Sequence, residues 1–265
     1  MKTTRMTVAD LRAVKGQRML SMLYVETVEE AAAAAAAGVD VLSIIAPVWT
    51  PQMREAAGDC FVQVGLLYGQ LVTTEDYLRA GFTAQAVGGD AYYCGASLGT
   101  VRRMADEGLP VVGHVGLVPS KATWTGGFKA VGKTAISALK VWQDMCALEA
   151  AGAIAVELEV VPARVGAELS RRSSLVTFGM GAGSGTDAQY LFAEDVLGYT
   201  RGHRPRHARV YRNFQTEHDR LQAERIAAFG EFVADVKAGR YPGPEHDVSV
   251  VDAEFDAFLI GLDQV

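Results

Sequence analysis

Two glutamates separated by one residue, Glu157 and Glu159, are well placed in this sequence to transfer protons. They lie in Val156-Glu157-Leu158-Glu159-Val160-Val161-Pro162, an apolar run with the pattern of a buried strand. Side chains alternate across a strand, so both carboxyls point to the same side. Burial and mutual repulsion raise the pKa of at least one such carboxyl, which suits a general acid or base. The alternative is that one glutamate pairs with a buried Arg or Lys.

The position of each glutamate along the strand divides their predicted roles. Glu159 lies nearer the carboxyl end, which in a barrel of parallel strands is the catalytic end. We therefore predict that Glu159 is catalytic. Glu157 lies deeper, and a structural role is expected for it.

A histidine, His114, stands at the end of a second buried run. Val111 and Val112 follow Gly108 and a proline, and His114 lies where this strand gives way to a glycine-rich loop. In a parallel barrel this position belongs to the active-site end, so His114 is the second catalytic candidate. The alternative is a structural histidine whose hydrogen bonds are satisfied at the strand end.

Two further loops could bind a substrate. Gly179-Met180-Gly181-Ala182-Gly183 follows a strand, and such a loop lets backbone N–H groups approach an anion. It also resembles the first turn of a nucleotide fold, but no strand ending in an acid follows about twenty residues later. In Gly126-Gly127-Phe128-Lys129, the lysine could reach a carboxylate, although exposed lysines usually bind nothing specific.

Alternating strands and helices must position these residues. Apolar, β-branched runs predict strands at residues 19–25, 39–45, 60–67, 83–87, the run that ends at His114, 154–160 and 175–179, with an eighth near 197–199. Helical segments separate them. Eight such units predict a closed (β/α)₈ TIM barrel, and a doubly wound open sheet is the alternative. We expect a single domain over residues 1–265, with an N-terminal cap helix that starts at Thr7 and a C-terminal helical extension.

Composition narrows the classes of partner. The 265 residues carry a net charge of −6, which argues against nucleic acid or a membrane surface as the partner. Three scattered cysteines, Cys60, Cys94 and Cys146, are typical of reduced thiols in a cytoplasmic protein. Residues 202–209 are strongly basic, as a solvated loop, a subunit contact or, less favoured, a phosphate or polyglutamate site would be.

Seven segments together resemble the ketopantoate hydroxymethyltransferase family. In order they are Gly113-His114-Val115-Gly116-Leu117-Val118-Pro119, Gly126-Gly127-Phe128-Lys129, Ala147-Leu148-Glu149-Ala150-Ala151-Gly152-Ala153, Leu158-Glu159-Val160-Val161-Pro162, Gly179-Met180-Gly181-Ala182-Gly183, Gly202-His203-Arg204-Pro205-Arg206 and Tyr241-Pro242-Gly243-Pro244-Glu245-His246. The resemblance implies a (β/α)₈ barrel in a large homo-oligomer. It also implies transfer of a one-carbon unit from methylenetetrahydrofolate to the α-carbon of an α-keto acid, which a divalent metal held by two Asp residues chelates.

The resemblance also assigns roles to individual residues. Glu159 matches the family's catalytic Glu near the leaving proton, and His114 matches its pocket histidine. The predicted substrate-binding residues are Gln85, Lys129, Gly181 and Glu157. An apolar stripe on the last helix packs on the barrel or on a partner subunit, and it consists of Phe255, Phe258, Leu259 and Leu262. With the family's habit, this stripe predicts a homo-oligomer.

The sequence departs from the family pattern at the metal site. The first metal Asp falls on Ala46 and the second on Gly65. The family's substrate-binding Lys, which follows the fourth strand, falls on Gln85, and a nearby acid falls on Val87. A divalent cation that stabilises an enolate prefers oxygen ligands, and the side chains of Ala46, Gly65 and Val87 offer none.

The cofactor expectation follows from these departures. We predict no tightly bound divalent metal at the family's usual place, and Glu157 or Glu26 would be the first substitute ligands. A tetrahydrofolate derivative stays open as cosubstrate, and the substrate is expected to be a small molecule such as an α-keto acid.

Three functions remain open from the sequence. The first is a transferase of this family with an altered substrate and no metal. The second is a metal-independent lyase, cyclase or dehydratase that uses Glu159 as acid or base. The third is a non-catalytic barrel subunit.

Overall fold

A computed structural model describes residues 5–262 of the chain. The chain folds into a closed barrel of eight parallel strands. The strands are β1 Leu20–Tyr24, β2 Val41–Ile45, β3 Phe61–Gly65, β4 Ala91–Tyr93, β5 Val111–Gly116, β6 Ala155–Glu159, β7 Val176–Met180 and β8 Ala188–Phe192. Each strand pairs in parallel with the next, and β1 closes the ring by pairing with β8. The predicted (β/α)₈ barrel is therefore confirmed.

Helices follow most strands along the chain. They are α1 Val8–Ala13, α2 Val28–Ala36, α3 Pro51–Ala56, α4 Thr74–Ala86, α5 Leu98–Asp106, α6 Ala122–Thr125, α7 Ala135–Ala150, α8 Ala163–Arg172, α9 Ala193–Leu197, α10 Phe214–Lys237 and α11 Asp252–Leu262. Hydroxyl side chains start many of them: Thr7, as predicted, caps α1, and Thr27, Thr73 and Thr134 cap α2, α4 and α7. Such caps satisfy backbone N–H groups that have no partner within the helix.

Two strand predictions were wrong. Residues 83–87 end helix α4 and its cap, and the fourth strand lies further along at 91–93. The buried residues Tyr77, Gly81 and Ala84 share one face of α4, so tertiary packing on a helical period decides this segment. The eighth strand is residues 188–192, whereas position 197 ends helix α9.

Two apolar clusters hold the barrel together. One takes at least one residue from every strand, together with Leu11 of α1, and includes Leu20, Val41, Phe61 and Val176. The other joins the alternate strand residues to the helices outside. Because side chains alternate along each strand, one set of residues fills the barrel and the other faces the helices.

The chain divides into two compact units, Met1–Arg212 and Asn213–Val265. The first contains the barrel, and the second contains α10 and α11. The assignment of residues 1–265 to a single domain stays a prediction, and its residues 1–4 and 263–265 lie outside the described part. The C-terminal stripe that includes Phe255 and Phe258 is exposed. Among the described residues, no helix is both long and apolar enough to cross a membrane.

Candidate active site at the barrel mouth

Polar side chains replace the apolar filling in the middle of the barrel. Their positions on the strands follow the same two-residue alternation as the apolar residues below them. They are Ser43 of β2, Gln63 of β3, Tyr93 of β4, His114 of β5, Glu157 of β6 and Tyr190 of β8. The register places Ser43 directly beside Gln63 and His114 directly beside Glu157. Strand pairing therefore fixes which polar groups meet.

Glu157 is held deep in this polar layer. Gln63 donates from Nε2 to Glu157 Oε1 over 2.7 Å, and the same amide nitrogen lies 3.2 Å from Ser43 Oγ. The other carboxyl oxygen of Glu157 lies 3.8 Å from Nδ1 of His114. Glu157 is therefore tied to its neighbours inside the barrel, and its predicted substrate contact stays a prediction.

Glu159 and His114 meet one layer higher. Nε2 of His114 lies 3.1 Å from Oε2 of Glu159, and the other ring nitrogen, Nδ1, lies 2.9 Å from the hydroxyl of Tyr93. The His114 side chain is only 4% exposed, and that of Glu159 is 12% exposed. The structure thus brings together the two residues predicted to be catalytic and adds Tyr93 to them.

Nε2 of His114 lies close to the Glu159 carboxyl but is not aligned with it for a hydrogen bond. Within the described chain, Nε2 of His114 is a buried polar atom that lacks a hydrogen-bond partner. Buried polar groups are usually partnered, and each exception calls for an explanation. An N–H at this atom would be free to bind a substrate oxygen.

The backbone next to Glu159 is strained. Val160 has a φ of 47°, which is costly for a β-branched residue. Its N–H donates to the carbonyl of Met180 over 2.8 Å, and the Leu117 N–H donates to the Glu159 carbonyl over 2.9 Å. Gly116 has a φ of 89°, and a Cβ there would lie 2.2 Å from the Glu159 carbonyl oxygen. These contacts hold the end of β6 in one conformation.

Burial changes the protonation of the groups around His114. The pKa of Glu157 is raised, chiefly by burial and also by the charge of Glu159, while His114 and Gln63 oppose this rise. The pKa of Tyr93 is also raised, by burial first and then by the two glutamates. The Tyr93 hydroxyl therefore keeps its proton and can donate it in a hydrogen bond.

The other predicted substrate-binding residues lie apart from this cluster. Lys129 is exposed in the loop after α6, with its ammonium folded over Gly126. Gln85 is exposed on helix α4, so its placement after the fourth strand was wrong. The residue at the carboxyl end of the fourth strand is Tyr93.

Gly181 lies at the mouth, as predicted, and contacts a histidine that the sequence analysis did not single out. A Cβ on Gly181 would lie 2.8 Å from Nδ1 of His207, and the φ of Gly181 is 67°. Both residues line a cavity of about 410 Å³ beside Val160, together with Lys133 and Arg206. The pKa of His207 is lowered by burial, while the charge of Glu159 opposes this. The sequence feature that could have identified His207 is its position in the basic residues 202–209.

The mouth residues at the family's metal position do not fit a divalent cation. Ala46 follows the end of β2, and Gly65 ends β3, where it pairs with Ile45. Neither side chain has an oxygen. Across residues 5–262, no group of three His, Cys, Asp or Glu could hold a metal ion. Glu26 instead accepts a hydrogen bond from Tyr24 over 2.7 Å. The absence of a bound metal stays a prediction.

Sequence comparisons with known proteins agree on one family. The family model described as Ketopantoate hydroxymethyltransferase matches residues 76–244. The 3-methyl-2-oxobutanoate hydroxymethyltransferase of Thermus thermophilus is 34% identical in an alignment of 268 positions that covers 91% of this chain and 99% of the relative. The enzyme of that name from Nitratidesulfovibrio vulgaris is 36% identical over 170 residues, 64% of this chain and 53% of the relative. The match thus spans about half the length of several curated relatives.

A solved structure supports the fold alone. The putative phosphonomutase from Burkholderia cenocepacia J2315 superposes with a TM-score of 0.52 at 14% identity, covering 85% of this chain and 99% of that chain.

The raised pKa of Glu157 predicts a pH dependence of stability. The folded protein keeps the Glu157 proton to higher pH than the unfolded chain, whose glutamates titrate at about pH 4.3. The free energy of unfolding of the wild type therefore falls as pH rises from the unfolded-state pKa of Glu157 towards its folded-state pKa. Glu157→Gln removes this pH dependence. The variant should gain in relative stability from pH 4 towards pH 7 in urea unfolding. The exposed Glu55→Gln is the control, and a Glu157→Gln difference that does not change with pH would contradict the prediction.

Proposed function

The chain belongs to the ketopantoate hydroxymethyltransferase family, and we propose that it forms a carbon–carbon bond at the α-carbon of an α-keto acid. The observation that carries this proposal is the pair of His114 and Glu159 at the barrel mouth, 3.1 Å apart. A carboxylate next to an imidazole can take a proton while the imidazole contacts the carbonyl of the same substrate. Family membership favours this transferase over the lyase, cyclase or dehydratase and over the non-catalytic subunit.

Glu159 acts as the base in this proposal. Its carboxylate removes the proton from the α-carbon, and the C–H electron pair moves into the bond between the α-carbon and the carbonyl carbon. The carbonyl oxygen takes up the negative charge. A tetrahydrofolate derivative would supply the one-carbon unit. The enolate carbon would form the new bond to this unit as its bonds to the folate nitrogens break, with water supplying the hydroxyl oxygen and the nitrogens taking up the released protons. The strained but fixed backbone at Val160 supports the role of Glu159, since it holds the carboxylate in place.

The cavity beside the Glu159 strand supports an anionic substrate. Lys133 and Arg206 line it, with the glycine loop at Gly181 on the same wall. Its volume of about 410 Å³ is within the range of small-molecule sites. We propose that it receives a carboxylate of the keto acid or of the cosubstrate.

Glu159→Gln should abolish most of the proton transfer. It keeps the size of the side chain but removes the base, and general-base catalysis typically contributes about 10²–10⁴-fold. The measurement is the exchange of the C3 hydrogen of 3-methyl-2-oxobutanoate for deuterium in D₂O, followed by NMR. This keto acid is the one in the names of the relatives.

Two controls make this test specific. Glu55→Gln, on exposed helix surface, should exchange as fast as wild type. Equal unfolding curves for wild type and Glu159→Gln would show that the fold is intact. Wild-type rates in Glu159→Gln, or no exchange in the wild type, would contradict the proposed function.

We also propose that the second unit mediates self-association of this protein. Ile226, Phe229, Val233 and Val236 follow a helical spacing on α10, and all four are exposed in the described chain. An exposed apolar stripe of this kind marks an interaction surface, and we propose a second copy of this chain as its partner.

Charges on this stripe should dissociate the assembly. Phe229→Lys with Val233→Lys should sediment as a smaller species than wild type at micromolar concentration, because lysines oppose burial of the face. Val72→Lys, at an isolated exposed position in the barrel unit, is the control. A monomeric wild type would overturn the proposed assembly.

A further inference from the structure

The hydrogen on the unpartnered Nε2 of His114 depends on the contact made by the other ring nitrogen, Nδ1. The Tyr93 hydroxyl lies 2.9 Å from Nδ1, at hydrogen-bond distance, whereas Glu157 Oε2 lies 3.8 Å from the same atom, beyond it. Gln63 already binds the other oxygen of Glu157. The contact that governs Nδ1 is therefore the one with Tyr93.

Tyr93 is the donor in this contact. Burial and the charges of Glu157 and Glu159 raise its pKa, so the hydroxyl keeps its proton. Among the described residues, its hydroxyl makes no other hydrogen bond. Nδ1 of His114 must then accept, and in a neutral imidazole the other nitrogen carries the hydrogen. That nitrogen is Nε2, which is buried without a hydrogen-bond partner near Glu159.

We propose that Tyr93 is a positioning residue that fixes His114 with its N–H on Nε2. We further propose that this N–H, in place of a divalent cation, polarises the substrate carbonyl. The second part rests on the proposed function. Ala46 and Gly65 leave the family's cation position without side-chain oxygens. In this proposal, the Nε2–H of His114 takes over the cation's role as the electrophile that polarises the carbonyl. Neutral imidazoles act as electrophiles for carbonyls in other enzymes, including a barrel enzyme.

Formation of the enolate needs no reactant other than the keto acid and Glu159. The α C–H bond breaks, and its proton goes to Glu159. The electron pair becomes the new double bond of the enolate, and the former carbonyl π pair moves onto oxygen. The Nε2–H of His114 donates a hydrogen bond to that oxygen as its negative charge develops, as an oxyanion hole does.

Nitrogen NMR of the intact protein tests the positioning. In ¹⁵N-histidine-labelled wild type, compared with His114→Gln to assign the signals, we expect Nδ1 to resonate as a bare nitrogen and Nε2 as an N–H nitrogen. A hydrogen on Nδ1 in the wild type would overturn the inference. This readout needs no turnover, so it is independent of the proposed reaction.

Tyr93→Phe removes only the hydroxyl. We expect a mixture of the two His114 tautomers and a fall in the deuterium-exchange rate of about 10- to 100-fold, the effect of one lost buried hydrogen bond. Tyr92→Phe is the matched control, since the neighbouring Tyr92 hydroxyl donates to the Gly89 carbonyl instead. An unchanged tautomer in Tyr93→Phe would overturn the role of Tyr93.

A titration with 3-methyl-2-oxobutanoate in the presence of a chelator tests the electrophile. The Nε2 signal of wild type should shift on binding, and added Mg²⁺ should not be required. A shift that appears only with Mg²⁺, or none at saturation, would overturn the replacement of the cation. Exchange without the Nε2–H tautomer would refute this inference and leave the proposed function intact. The tautomer and the shift without exchange would support the inference and refute the function.

Discussion

The buried carboxyl of Glu157 is the constraint on which the barrel interior depends. A carboxyl inside a protein is costly unless hydrogen bonds or charges compensate it. Gln63 on β3 supplies that compensation by donating a hydrogen bond to Glu157 on β6, three strands away in the ring. Because this hydrogen bond joins two strands that are not neighbours, the polar layer forms only when the barrel closes.

The floor of the barrel stabilises the fold, whereas its mouth carries the candidate active site. Apolar residues such as Leu20 and Phe61 fill the interior below and, together with Leu11, supply the stabilising burial. The mouth carries features that cost stability, namely the αL backbone at Val160 and the unpartnered nitrogen of His114. Such costs are typical of sites where strain and unsatisfied groups serve a reaction.

Most of the barrel was predictable from the sequence, because six of its strands lie in predominantly apolar segments. The remaining errors had physical causes. Residues 83–87 look like a strand locally, but their packing through Ala84 belongs to helix α4. This error misplaced the predicted fourth strand, so the sequence pointed to Gln85 instead of Tyr93 as the residue at its carboxyl end. Gln63 was also missed, although a lone amide in the apolar run of β3 signals a buried polar contact. The tautomer of His114 depends on its contact with Tyr93 on the adjacent strand β4, which no local sequence pattern shows.

The most direct test of this account is the crystal structure of the wild-type protein with 3-methyl-2-oxobutanoate, grown with a chelator. We expect the keto oxygen within hydrogen-bond distance of His114 Nε2, with C3 facing the Glu159 carboxylate. A keto acid bound elsewhere in the barrel mouth, with Nε2 still free, would contradict it.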